Sequence, residues 1–202
     1  MPNEVKIVSL VGDALQGALP EVAKLRIEVF RDFPYLYDGD LDYETDYLAA
    51  LIAAKDAIVV VAIAEGTIIG CATGCAIDDQ HQAFVEPLLQ SGIDLTSTFY
   101  FGESVLLPDY RGQGFGHVFF DYREAWAARL NYHRTCFCAV ERPDDHPLRP
   151  KNYRSLDPFW TKRGYQKLRG ARAQFTWRDV NKSREDSKPM QFWMRDLAAP
   201  SG

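Results

Sequence analysis

The tightest constraint in this chain is a glycine-rich turn that joins an apolar run directly to an amphipathic one. Residues 99–107 read Phe-Tyr-Phe-Gly-Glu-Ser-Val-Leu-Leu, the aromatic and branched content of a strand, and end at Pro108, which cannot donate to a ladder. Beyond Arg111-Gly112-Gln113-Gly114-Phe115-Gly116-His117, the residues Val118, Phe119, Tyr122, Ala125, Trp126, Arg129 and Leu130 recur at three- and four-residue steps, which predicts a helix with that face inward. The order is strand, glycine turn, helix. Glycines let the backbone fold sharply, and the unpaired N–H groups of the first helical turn then point at whatever lies there. With the helix dipole, those donors suit an anion such as phosphate. Two phosphate motifs are excluded: a dinucleotide fingerprint needs a glycine where Phe119 stands, and a P-loop needs Gly-Lys-Ser/Thr.

Arg111-x-x-Gly114-x-Gly116 after a Val-x-Leu-Pro strand end resembles motif A of the GCN5-related N-acetyltransferases (GNAT). The stretch from Asn152 to Tyr165, ending Phe-Trp-Thr-Lys-Arg-Gly-Tyr, is similar to that family's helix and the entry to its next strand. The resemblance implies an acetyl-CoA site with the pyrophosphate on the backbone amides of Arg111, Gly112, Gln113, Gly114, Phe115 and Gly116. It further implies main-chain pairing of the pantetheine arm near Val105 and Leu107. His117, at the helix start, is a candidate to touch phosphate.

Composition allows one domain over residues 1–202: 47% hydrophobic content is enough for a buried core, and no shift marks a second unit. A net charge of −5, without basic runs, argues against nucleic acid as a partner. The N-terminus lacks the layout of a signal peptide and no apolar run approaches membrane-spanning length, so a cytoplasmic protein is expected, without a membrane partner. Cys71, Cys75, Cys136 and Cys138 lie in apolar runs, where free cysteine behaves as a small hydrophobe. A zinc site would want such pairs in turns, so no metal is expected.

Along the chain, residues 5–10 read as a strand. Pro20 opens a helix that stops at Phe33-Pro34, and a second helix carries Tyr47, Leu48, Leu51 and Ile52. Residues 57–64 and 67–77 flank Glu65-Gly66, a two-residue hairpin signal. Residues 78–98 interrupt the strand rhythm with a short helical pattern around Pro87, as an insertion. After the motif helix come a strand at 135–140, a helix at 153–162 closed by Gly164, and two strands at 173–177 and 191–194 joined by the charged loop 181–188. The expected fold is α/β, a GNAT-like mixed, mostly antiparallel central sheet flanked by helices in the order β-α-α-β-β-(insert)-β-α-β-α-β-β.

Acetyl transfer to an amine needs a base, because an alkylammonium is almost wholly protonated at neutral pH. Glu103, on the motif strand and on the same side as Val105 and Leu107, is the candidate; a structural ion pair is the competing reading. In relatives a tyrosine four residues before the helix-closing glycine can protonate the departing sulfur. Here Trp160 holds that place, and an indole N–H cannot give up its proton near neutral pH, which leaves Tyr153, Tyr165 or water. Tyr153 is preferred for its expected place at a helix start. Tyr35, Tyr37 and Asp38 before the second helix, with Glu141 after the fifth strand, are candidate acceptor contacts, while Asp40 and Asp42 read as solvated charge.

The leading expectation is an acetyl-CoA-dependent N-acetyltransferase that takes a small-molecule or peptide amine by direct attack in a ternary complex. A non-catalytic acyl-CoA sensor is the alternative, and a transferase for longer acyl chains a third. The aromatic segment 191–194, read as an exposed C-terminal strand, offers a surface for a homodimer.

Overall fold

The computed structural model describes residues 4–197, so the outermost residues of the expected 1–202 unit lie outside the described residues. Its seven strands are β1 Val5–Leu10, β2 Ile58–Ala64, β3 Thr67–Ala76, β4 Thr98–Leu106, β5 Arg134–Val140, β6 Gln166–Arg178 and β7 Glu185–Asp196. They form one open sheet in the order β1-β2-β3-β4-β5-β7-β6. The helices are α1 Leu19–Phe30, α2 Leu41–Ala53, α3 Gln82–Gln90, α4 Phe115–Arg129 and α5 Asp157–Lys162. The expected element order and mixed α/β class hold. Neighbouring strands are antiparallel except β4 and β5.

Local chemistry explains the elements. Glu65 and Gly66 both have positive φ, 50° and 80°, the mirror-image turn whose twist matches a hairpin. In β2, Val59 and Val61 pack with α1 and α2, while Ile58, Val60 and Ala62 pack with α4. Burial on both faces is why this strand reads as an unbroken apolar run. The segment between β3 and β4 contains α3, whose Phe84 stacks on Phe175 of β6 with centroids 5.0 Å apart.

Four expectations need correcting. The buried stripe of α4 is Phe119, Phe120, Arg123 and Ala127, whereas Tyr122 is exposed; an arginine at the centre of the inward face disguised it. Residues 191–194 are no exposed edge: β7 lies between β5 and β6, with Phe192 and Trp193 buried, so the argument for a dimer through that strand falls. The last hairpin is longer and its loop shorter than expected, because Lys188 folds inward against Asp179. Finally, Tyr153 precedes α5 instead of opening it. The Ser155 hydroxyl accepts from the N–H of Asp157, and Pro158 follows inside the first turn, so the helix begins only there.

A β-bulge in β4 sets the direction of the side chains beside the sheet's centre. Gly74 pairs with Phe101, but Ala72 pairs with Ser104, which leaves one extra residue in β4. Side-chain alternation reverses across it: Phe101 packs on Phe120 of α4, while Glu103 and Val105 face α1 and α2. Gly102 sits in the bulge, where a Cβ would come within 2.4 Å of the Thr73 hydroxyl.

Candidate functional site

The parallel pairing of β4 with β5 covers only Thr98↔Arg134, Phe99↔Thr135 and Tyr100↔Cys136. Both strands continue, to Leu106 and Val140, and splay apart. A cleft of about 1580 Å³ opens between them, bordered by the α1–α2 loop, the glycine turn and α5. Which backbone groups face it follows from sheet geometry. Leu107 donates its N–H to the Ile69 carbonyl at 2.9 Å, so residues 105 and 107 present their main chain to β3 and residues 104 and 106 to the splay. Leu107 also accepts from the Tyr110 N–H, so its backbone is fully committed, and it does not border the cleft. Ser104, Val105 and Leu106 border the cleft, and of these Ser104 and Leu106 turn their main chain to the splay. The signal for them was the strand's register, invisible before the partner strand was known.

At the mouth of the cleft, Gly112 and Gly114 have φ of 78° and 91°, and Gly114 is the N-cap of α4. A Cβ at either glycine would meet nothing within 4 Å, so it is the left-handed backbone that calls for glycine there. The first backbone bonds of α4 run from His117 and Val118 to the Gly114 carbonyl. The N–H groups of residues 112–116 have no acceptor among the described residues. They form a concave row of donors at the positive end of a fifteen-residue helix, which suits an anion. Gly112, Gly114, Gly116 and His117 border the cleft; the side chains of Gln113 and Phe115 do not. Arg111 turns its Nε back to the Leu106 carbonyl at 3.0 Å, bracing the turn against β4. His117 lies edge-on to Phe159 at 4.8 Å and 3.2 Å from Arg163, which is itself held by Asp121 and Glu124.

Deeper in, Glu103 is 6% exposed. One oxygen pairs with Arg26 of α1; the other, Oε1, is buried with no hydrogen-bond partner. Arg26 pairs at the same time with Glu44 of α2, itself fully buried. Two carboxylates thus share one guanidinium, which also lies over the Tyr47 and Phe30 rings at 4.5 and 5.1 Å. Burial opposes charge on Arg26, but Glu103 and Glu44 outweigh it and hold its pKa well above the ordinary value. Sequence reasoning missed Arg26, Glu44 and Tyr47. The available signal was a charge on an apolar stripe: Arg26 follows Val22 by four residues, and Glu44 precedes Leu48 by four.

On α4, buried Arg123 has no carboxylate partner among the described residues. It donates to the Thr73 and Glu103 carbonyls at 3.0 and 3.2 Å and to the Ser104 hydroxyl at 2.8 Å, tying down the bulge that aims Glu103. Burial pulls its pKa down to about 10.

The other expected contacts divide. Tyr35 and Tyr37 border the cleft, and burial pushes both hydroxyls up in pKa. Asp38 also borders it but is paired with Arg178 at 2.6 Å, and Glu141 with Arg172 at 2.8 Å. Asp40 caps α2 by accepting from the Tyr43 N–H. Tyr153 borders the cleft with its ring edge-on to Phe33 at 4.7 Å, and burial raises its pKa. Trp160 packs between Phe137 and Trp193 at 5.0 and 5.2 Å. The Tyr165 hydroxyl is engaged by Thr135 and Glu124, and does not border the cleft. None of the four cysteines forms a disulfide among the described residues, and all four are buried; burial lifts the Cys138 thiol to about 12. Among the described residues, no group of three or more His, Cys, Asp or Glu is arranged to hold a metal, and no helix is long and apolar enough to cross a membrane.

No curated protein matches the chain by sequence. Solved structures share its fold. The ribosomal-protein-alanine N-acetyltransferase of Brucella melitensis superposes with a TM-score of 0.59 at 11% identity, over 94% of this chain and 99% of that one. YncA of Salmonella typhimurium, solved with its cofactor acetyl-CoA, gives 0.59 at 12%, over 98% and 97%. A phosphinothricin acetyltransferase of Sinorhizobium meliloti in complex with AcCoA gives 0.58 at 14%, over 96% and 88%. The model of the acetyltransferase (GNAT) family matches residues 22–150, the stretch that carries α1, the bulged strand, the glycine turn and both arms of the splay. With its motif residues and its opened sheet in agreement, the chain belongs to the GNAT acetyltransferase family.

Proposed function

We propose that the chain is an acetyl-CoA-dependent N-acetyltransferase acting, as one catalytic unit, on a primary amine of a small molecule or peptide by direct attack in a ternary complex. The observation that carries this reading is the meeting, in one cleft, of a row of unpaired N–H donors with a buried carboxylate that has one oxygen free. The donors of residues 112–116 fit a diphosphate. The splay-facing backbone of Ser104 and the Leu106 N–H fit the amide groups of a pantetheine arm. Acetyl-CoA supplies the activated acetyl group, and two of the matched structures hold that molecule.

The remaining work falls to the chain's own side chains. Glu103 Oε1 takes a proton from the acceptor ammonium, directly or through water, leaving an uncharged nitrogen to attack the thioester carbonyl. The C–N bond forms, the C–S bond breaks, and the departing sulfur takes a proton. Tyr153, at the cleft wall with its hydroxyl kept protonated, is the proposed source.

A thiol-release assay with an amine panel, run beside calorimetry of acetyl-CoA binding, tests this. Turnover with at least one amine and saturable cofactor binding are expected; absence of binding ends the reading. Trp160, in place of a tyrosine, keeps the sensor alternative in view. Tight cofactor binding without turnover on any amine, and no change in Glu103→Gln, decides for that alternative.

A further inference from the structure

Packing alone gives no reason for a charge at position 123. Arg123 stands in the middle of the inward stripe of α4, between Phe119 and Ala127, is 1% exposed, and has no carboxylate partner among the described residues. Burying a cation in that way is costly. Desolvation pulls its pKa down to about 10, which still leaves it charged at neutral pH. A methionine would fill similar space, and apolar side chains of similar volume often replace buried ionic groups without loss of stability. The guanidinium is therefore to be understood from what it holds.

All three of its nitrogens donate. Nε bonds the Phe119 carbonyl one helical turn back at 3.1 Å, which fixes the side chain against its own helix. Nη1 bonds the Thr73 and Glu103 carbonyls at 3.0 and 3.2 Å, at the place where the pairing of β3 with β4 slips. Nη2 bonds the Ser104 hydroxyl at 2.8 Å. The guanidinium carbon lies 4.2 Å from the centre of the Phe101 ring and 5.0 Å from that of Phe120. One planar fork thus ties α4 to β3 and to two successive residues of β4. Those two have different duties in the proposed reaction: Glu103 carries the oxygen without a partner, and Ser104 turns its main chain to the splay. The helix that carries Arg123 is also the one whose first turn offers the row of donors.

We infer that Arg123 is a positioning residue for the transfer: acting through Glu103 and Ser104, and not by contact with either substrate, it sets the separation between the proton-accepting oxygen and the thioester of a cofactor seated on α4. This inference rests on the acetyltransferase reading and deepens it. A misplacement of about 1 Å at a reacting group costs on the order of 10²-fold in rate. Lysine is no substitute, because its ammonium is a compact point charge without the fixed fork that spans a hydroxyl and two carbonyls.

The test is a double-mutant cycle on kcat, with acetyl-CoA and the best amine of the panel, over wild type, Arg123→Lys, Glu103→Gln and the double variant. Calorimetry measures acetyl-CoA affinity for each. In Arg123→Lys, kcat should fall by about 10- to 10²-fold while acetyl-CoA affinity stays within about threefold. In the Glu103→Gln background the same substitution should cost less than about threefold, because the group it positions is already gone. Arg123→Met, which fills the space without donors, should repeat the pattern and stands in if the lysine variant does not fold. Equal losses in both backgrounds overturn the inference and leave the acetyltransferase standing. So does a methionine variant with kcat within about threefold of wild type, or a loss of acetyl-CoA affinity as large as the loss of kcat. Failure of both variants to fold marks the arginine as structural and overturns it as well. Absence of turnover by the wild type on every amine overturns the enzymatic reading and this inference together.

Discussion

Two buried charge clusters flank the cleft, and one is balanced where the other is not. At one, Arg26 is shared by Glu44 and Glu103, two negatives on one positive. At the other, Asp179 is shared by Arg142 and Lys188, and Lys188 also pairs with the Asp186 carboxylate, so every charge has an opposite partner. The second is closed. Both Asp179 oxygens are taken, Arg142 spends its remaining donors on the carbonyls of Pro34 and Tyr35, and Lys188 reaches the carbonyls of Trp177 and Asp186. It pins the α1–α2 loop to the last hairpin. The first is left open: Glu103 borders the cleft, and its Oε1 is buried without a hydrogen-bond partner. Chemistry is to be sought at the open one: a satisfied buried network holds shape, whereas an incomplete one keeps a group in reserve for a ligand.

The strongest test of this contrast is Glu103→Gln. It removes the base while leaving Arg26 paired with Glu44, so kcat/KM of the folded enzyme should fall by about 10²–10⁴-fold, while the loss of one of Arg26's two charged partners should cost about 1.5–3 kcal/mol of stability. Near-normal turnover would make the open cluster merely structural. Asp179→Asn should do the reverse, since it leaves Arg142 without a carboxylate and Lys188 with Asp186 alone. A loss of about 3–5 kcal/mol in urea unfolding is expected, with acetyl-CoA binding kept by the folded fraction. A loss under about 1 kcal/mol would remove the loop-pinning role.

Glu44→Gln weakens one of two bonds to Arg26 and should cost about 1.5–3 kcal/mol of stability. It leaves Oε1 of Glu103 in place, so turnover by the folded enzyme should survive; a collapse of turnover as deep as that of Glu103→Gln would show that the pair acts as one unit. The smallest effect is on pH dependence. Burial opposes charge on Asp179, but its bonds to Arg142 and Lys188 outweigh that and lower its pKa. Its contribution to stability is therefore complete above the ordinary carboxylate value and lost as pH falls through the lower folded one. Melting temperatures followed downward from about pH 5 should decline more steeply in the wild type than in Asp179→Asn. Parallel curves would count against the closed network.

Much of the molecule was legible beforehand. Glu65-Gly66 announces its hairpin because few residues tolerate two successive left-handed conformations, and Gly112 and Gly114 mark their turn for the same reason. The element order followed from apolar periodicity. The inward face of α4 did not, because Arg123 sits at its centre, four residues from both Phe119 and Ala127, and a charge reads as solvent-facing until the carbonyls that receive it are known. β7 was misread for a related reason. The segment 191–194 has the composition of either an edge or an interior strand, and only its insertion between β5 and β6 decides between them.

The candidate site divides along the same line. Local chain chemistry was enough for the strand, the glycine turn and the helix behind it, since each depends on residues within a few positions of one another. It also marked Glu103 as a carboxylate where none was needed for packing. Three features came only with the folded chain: the splay that turns Ser104 and Leu106 to the cleft, the bulge that rotates Glu103 toward α1, and the partnership of Arg26 with Glu44. Each joins segments well separated along the chain, through a strand register or a buried contact that adds no local pattern to the sequence of either partner.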